Sequence, residues 1–468
     1  MIIDPLILSR IQFAFTVSFH IIFPAFTIGL SAFIATLLVI WNFKKQDHYL
    51  SLARFWTKIF AVSFAMGVVS GVVLSYQFGT NWSKFSEVIG NVIGPIIGYE
   101  VLTAFFLEAT FLGILLFGWN RVPVWFHTIA AILVAIGTSM SGFWILSANS
   151  WMHTPAGHEI VNGIAYPVDW LKIIFNPSFP YRFLHMMTAA YLTTSLVVLA
   201  IGAKYLLVNK FETQAKTMVV MGIGMVMFLG PIQIFLGDQH GLNTAKYQPV
   251  KIAAMEGHWH SNKPGELLLF AIPDEKTESN HFAIGIPHFG SLIITHSWDG
   301  LFPGLLDFPK EDRPPLLPVF FAFRIMVGIG LVILFIGVFA SVLMFKKQLF
   351  TNRFFLTMVG LSWPLGFIAI LAGWVVTESG RQPWIAYGVL RTKDAVSPVD
   401  GISVLISLLL FLLVYCVVFS MGVLYIRKMI QKGPQPHIVN KDESGLPNRP
   451  LSAAHKATRE SLEGKPII

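Results

Sequence analysis

Apolar residues recur along this chain in runs of about 20, the length at which a helix crosses the hydrocarbon core of a bilayer. Nine runs fall near 11–41, 54–77, 95–118, 124–148, 182–208, 214–236, 317–345, 353–377 and 401–428. Most of the joints between them are short. The exception runs from Gly237 to Leu316 and contains "KIAAMEGHWH", "LLLFAIP" and "HFAIGIP". Its apolar and aromatic content predicts an ordered outward-facing loop, and loops of that length in compact proteins are usually functional. The segment from Gly433 to Ile468, rich in Pro, Ser, Lys and Glu, has too little apolar surface to fold alone and is expected to be disordered. The pattern predicts an all-α polytopic membrane protein. Residues 1–236 carry spans one to six, 237–316 the loop, 317–432 spans seven to nine and 433–468 a cytoplasmic tail.

Composition agrees: 54% of the 468 residues are hydrophobic and 12% charged, which excludes an ordinary soluble domain. The net charge of +8 comes from Lys and Arg in the joints, so it implies no nucleic-acid partner. Lys44, Lys45, Arg54, Arg121, Lys204, Lys210, Lys216, Lys346, Lys347, Arg353, Arg427, Lys428 and Lys432 all fall at one end of the alternating spans. Lys and Arg are retained on the cytoplasmic side during insertion, which predicts an outside N-terminus. Asp4 and Arg10 ahead of a long first run predict that this helix is kept rather than cleaved as a signal peptide. Cys416 is the single cysteine, so a disulfide within the chain and a cysteine-based metal site are excluded.

Ionisable residues inside spans are costly and mark function or pairing. Gln12, Thr16 and His20 form one stripe of the first helix at i, i+4 and i+8; a lone histidine there is equally a buried polar contact. Glu100 and Glu108 read either as stations on a proton path or as partners of cations on other helices, with Glu100 also open to metal ligation. His185 and Met326 sit at the outward ends of their spans, where a His and a Met on facing helices make the axial pair of a low-spin haem. Methionine in an apolar helix is also ordinary packing, and spacing does not choose between the two. Arg10 and Arg324 are placed to hold propionates or to snorkel. "GHWH" is too weak a pattern to read as a metal site.

In "GWVVTESGRQPW", Gly373 to Trp384, Trp374 and Glu378 share a helix face. Gly380 is expected to end the helix in a left-handed conformation, and Arg381 to stand at the outer rim. Pro383 prevents the helix from resuming.

With "SRIQFAFTVSFH", "YQFGTNWSKFS", "FFLEATFLGILLFGW" and "FAFRIMVGIG", this last stretch makes residues 1–430 resemble subunit I of the cytochrome bd-type quinol oxidases, including their cyanide-insensitive branch. The resemblance implies two four-helix bundles plus one peripheral helix, in a bacterial cell membrane. It implies that His185 and Met326 ligate a low-spin haem b, and that His20 and Glu378 each ligate one high-spin haem, one a haem b and the other a haem d or a further haem b. Trp374 and Arg381 would stand beside the haems, Glu100 and Glu108 on the proton route, and Lys251 and Glu256 at the quinol site. The loop is shorter than in the longest members.

The implied activity is oxidation of a membrane quinol and reduction of dioxygen to water with proton uptake from the cytoplasm, together with a second subunit and a small single-span one. The rival reading is a secondary transporter or channel using the intramembrane Glu and His residues. It requires no chromophore.

Overall fold

A computed structural model describes residues 4–119, 121–262 and 264–435. Residues 436–468 of the expected tail lie outside the described residues.

The chain begins with α1 (Pro5–Lys44) and α2 (Asp47–Thr80). The third span is composite: α3 (Ser83–Glu100), a π-helical turn (Val101–Phe105) and α4 (Phe106–Phe117). After α5 (Val124–His153) come a hairpin of β1 (His158–Val161) and β2 (Ile164–Pro167) and the short α6 (Trp170–Ile174). Next are α7 (Phe179–Leu207) and α8 (Glu212–Tyr247). The loop then folds as α9 (Pro249–Glu256), an antiparallel hairpin of β3 (Leu267–Asp274) and β4 (Ser279–Ile286), and α10 (Phe289–Thr295). It leads to α11 (Leu316–Phe345), α12 (Arg353–Gly360) and α13 (Leu365–Ser379). A last hairpin, β5 (Trp384–Ala386) with β6 (Leu390–Arg391), precedes α14 (Gly401–Lys432).

Among the described residues, eight helices are long and apolar enough to span a membrane, and α12 with α13 makes a ninth, bent by 42°. The eighth span was expected to be continuous; Pro364, which lacks an N–H and crowds the preceding turn, stands at the break. The sixth helix also outruns its apolar stretch, continuing past Gly237 to Tyr247, so the irregular part of the loop begins later than hydropathy suggests. Beyond the apolar run α8 stays fastened to the start of α7: Asn243 accepts from Ser178 (3.1 Å) and donates to the Pro177 carbonyl (3.0 Å), and the His240 ring packs on His185.

Two rings of helices result. α1, α2, α3 with α4, and α5 pack each on its neighbours, as do α7, α8, α11 and α13; α1 and α5 join the rings through α7, and α14 lies outside on α1 and α2. The polar stripe on α1 fastens this arrangement. Asn81 donates to Gln12 (2.8 Å), Gln12 to Ser407 of α14 (3.2 Å) and Gln77 to Thr16 (2.9 Å). Interhelical hydrogen bonds of this kind hold helices together where lipid supplies no hydrophobic drive. Large apolar side chains on α11 and α14 stay exposed, as a lipid-facing surface requires.

Candidate functional site

Glu100 and Glu108 are brought together by the π turn. In an uninterrupted α-helix eight residues advance about 800°, leaving the two about 80° out of phase. A π turn absorbs about one residue of that advance, which restores the alignment. Both side chains accordingly meet α5: Ser141 donates to Glu100 at 2.7 Å, and one turn earlier a Cβ on Gly137 would lie 2.7 Å from Cγ of Glu108. Glu108 is buried and its Oε1 has no hydrogen-bond partner. No cation pairs with either carboxylate among the described residues.

His20 is half-buried and its Nδ1 lies 3.1 Å from Ser70 Oγ. That hydroxyl reaches the carbonyls of Met66 and Gly67, so its oxygen is left to accept the Nδ1 proton. The Nε2 lone pair is thereby free, which is the tautomer a metal requires.

At the end of the second ring that carries α9, His185 Nδ1 has no partner and Nε2 lies 3.3 Å from Gln233 Nε2. His185 on α7 and Met326 on α11 stand on helices that each pack on both α8 and α13 rather than extensively on each other. Glycines face the three neutral candidates. A Cβ would approach His20 to 3.1 Å at Gly71, His185 to 3.3 Å at Gly237 and the Met326 sulfur to 3.0 Å at Gly373.

Glu378 accepts from Asn149 (2.9 Å) and Arg381, and His153 Nε2 stands 3.4 Å away. Arg381 is buried rather than at the rim, with Nε and Nη1 unpartnered. Gly380 is not left-handed (φ −69°). Its lack of a side chain serves packing instead, because a Cβ there would lie 2.9 Å from Cγ of Lys251.

Lys251 itself is fully buried on α9, its Nζ 3.2 Å from both His153 Nδ1 and the Thr377 carbonyl. Burial, with the Arg182 and Arg381 guanidiniums nearby, holds its ammonium well below the usual lysine range. Glu256 is also buried and pairs with Arg324 at 3.4 Å. Burial pushes its carboxyl up to about 7, against the pull of Arg324. Arg324 is further occupied by the carbonyls of Met255 (2.7 Å), Phe320 (3.1 Å) and Leu268 (2.5 Å). Arg10 is exposed, lining a cleft of about 350 Å³ with Trp259, Lys310 and Arg313. In "GHWH", His258 is buried rather than exposed, with Nε2 2.6 Å from the Glu266 carbonyl; it holds the loop together.

Sequence reading missed Arg182, His153 and Asn149. Arg182 is buried with an unpartnered Nε, and its place three residues before His185 is the one signal that pointed to it. His153 and Asn149 carry none, since only the fold brings the end of α5 to Glu378.

These residues fit haem. Arg182, Lys251 and Arg381 are buried around Glu378 as their nearby carboxylate. Uncompensated buried charge costs several kcal/mol per ion. Haem propionates would supply the missing negative charge, and the unpartnered Arg182 and Arg381 nitrogens would be their donors.

The profile of the family described as cytochrome bd terminal oxidase subunit I matches residues 8–434. Subunit 1 of the Bacillus subtilis cytochrome bd ubiquinol oxidase is 34% identical, over 92% of this chain and 94% of that protein. Subunit 1 of the Escherichia coli cytochrome bd-II ubiquinol oxidase is 32% identical, over 92% and 97%. The solved bd oxidase from Geobacillus thermodenitrificans superposes with a TM-score of 0.85 at 31% identity, covering 92% of this chain and 99% of that one. The transporter reading finds no support in these relatives. With the fold and nearly the whole length in agreement, this chain belongs to the cytochrome bd terminal oxidase subunit I family.

Proposed function

We propose that this chain is the haem-carrying subunit of a membrane quinol:oxygen oxidoreductase that conserves energy by separating charge. The observation that carries this is the cluster of buried, incompletely partnered cations beside Glu378 and His185. Bound haem supplies one-electron redox chemistry and the iron at which dioxygen is reduced. The protein's part is ligation, orientation and proton handling.

His185 and Met326 would hold a low-spin haem b, and His20 and Glu378 would each hold one high-spin haem, a haem b and either a haem d or a further haem b. Arg182 and Arg381 take the propionates, with Trp374 packed alongside; Arg10 is a weaker partner because it is exposed, and Arg324 because its donors already have acceptors. Glu256 accepts a proton from quinol at the loop, and Lys251 supports that site from the inner side. Glu100 and Glu108, aligned on α5, carry protons inward to the centre where water forms; desolvated carboxylates of this kind exchange protons near neutral pH.

The N-terminus and the loop face outward, so quinol protons are released outside while those for water come from the cytoplasm. The membrane is that of a bacterial cell, the partner is subunit II of the same oxidase, and a small single-span subunit completes the assembly. A dithionite-reduced minus oxidised spectrum of the purified protein is expected to show low-spin and high-spin haem bands. Absence of any haem band refutes the proposal.

A further inference from the structure

His153, the last residue of α5, is 1% exposed and bridges two residues that sequence reading assigns to different tasks. Its Nδ1 lies 3.2 Å from Nζ of Lys251, on the loop helix α9. Its Nε2 lies 3.4 Å from Oε1 of Glu378, at the end of α13. Lys251 gives one N–H to the Thr377 carbonyl at 3.2 Å and has another within reach of the imidazole Nδ1. With Nδ1 accepting, the ring carries its proton on Nε2, where it points at the carboxylate. Lys251 therefore selects the tautomer that Glu378 needs.

We propose that His153 is a positioning residue through which Lys251 fixes the Glu378 carboxylate. The proposal rests on the reading of Glu378 as a high-spin haem ligand. Three further contacts support the bridge. Gln248, at the junction of α8 and α9, donates to the His153 carbonyl at 2.9 Å, which locks the backbone of the bridging residue to the loop. The Lys251 stem runs so close to Gly380 that a Cβ there would lie 2.9 Å from its Cγ and 3.1 Å from its Cδ. Asn149, one turn earlier on α5, donates to the same Oε1 at 2.9 Å. One oxygen of Glu378 is thus held by two residues of α5, and one of those two answers to the loop. An outer partner that orients a ligating side chain is typically worth about 10- to 100-fold in metal affinity or activity.

The test is the ratio of high-spin to low-spin haem in the purified holoenzyme, read from its reduced-minus-oxidised spectrum, with quinol KM and kcat measured alongside. His153→Leu and Lys251→Met should each lower high-spin retention roughly 10- to 100-fold with the low-spin band unchanged. The double variant should be no worse than either single one, because one bridge is being cut twice. His153→Gln, which keeps an acceptor and a donor, should restore the ratio. A wild-type ratio in His153→Leu overturns the proposal. So does a Lys251→Met enzyme that changes only quinol KM, and this variant decides the matter if His153→Leu does not assemble. Glu378→Ala separates the levels: if it keeps the high-spin haem, the ligand reading fails; if it loses that haem while Lys251→Met does not, only the bridge fails.

Discussion

In the α1–α5 ring the carboxylates Glu100 and Glu108 have no cation partner among the described residues, and the buried Glu108 leaves one oxygen unbonded. At the α9 end of the α7–α13 ring the balance is reversed: Arg182, Lys251 and Arg381 gather around Glu378, with guanidinium nitrogens unpartnered. An unbonded carboxyl facing apolar helices and the small residues Gly137 and Ser141 is free to gain and lose a proton. Buried guanidiniums stay charged and so mark a place for a fixed anion. The proposed function gives mobile charge to one ring and static charge to the other.

Removing the mobile charge should have the largest effect on turnover. Glu108→Gln is expected to cut oxygen consumption on the order of 100-fold with haem bands of wild-type intensity, and unchanged turnover would remove Glu108 from the proton route. Displacing the carboxylate without deleting it is gentler. Gly137→Ala would place a Cβ 2.7 Å from Glu108 Cγ, and about a tenfold loss is expected, short of the ~100-fold that a 1 Å misplacement costs. A loss equal to that of Glu108→Gln would mean that the glycine serves helix packing as well.

The smallest effect lies at the loop. With its carboxyl raised to about 7, Glu256 is protonated below that pH and ionised above it, so quinol oxidation that uses it as a base should rise with pH through about 7. Glu256→Gln should flatten that limb; a limb that survives assigns the base elsewhere. The same shift has a stability sign. A carboxyl bound to its proton more tightly when folded contributes stability at low pH that is lost as pH rises from its unfolded value towards 7.

How much of this could be read from the sequence follows the same division. The nine spans and the ends at which cations collect are local features of composition. Which helices ring a common interior is not, because lipid-facing and bundle-facing apolar residues look alike. The alignment of Glu100 and Glu108 needed a π turn that nothing in "VLTAF" announces. Gly380 was misread because a glycine after a helix usually signals a left-handed cap, whereas here the Lys251 stem passes against it from a helix more than 100 residues earlier. The static-charge cluster was half legible: Arg381 and Glu378 lie in one motif, but Arg182, Asn149 and His153 reach it only through the fold.

The proposed ligand role of Glu378 would tie the cation cluster to haem, and one spectrum tests it. In a reduced-minus-oxidised spectrum of purified Glu378→Ala, the account predicts loss of one high-spin haem contribution with the low-spin band of His185 and Met326 at full intensity. A spectrum with every band intact would contradict it.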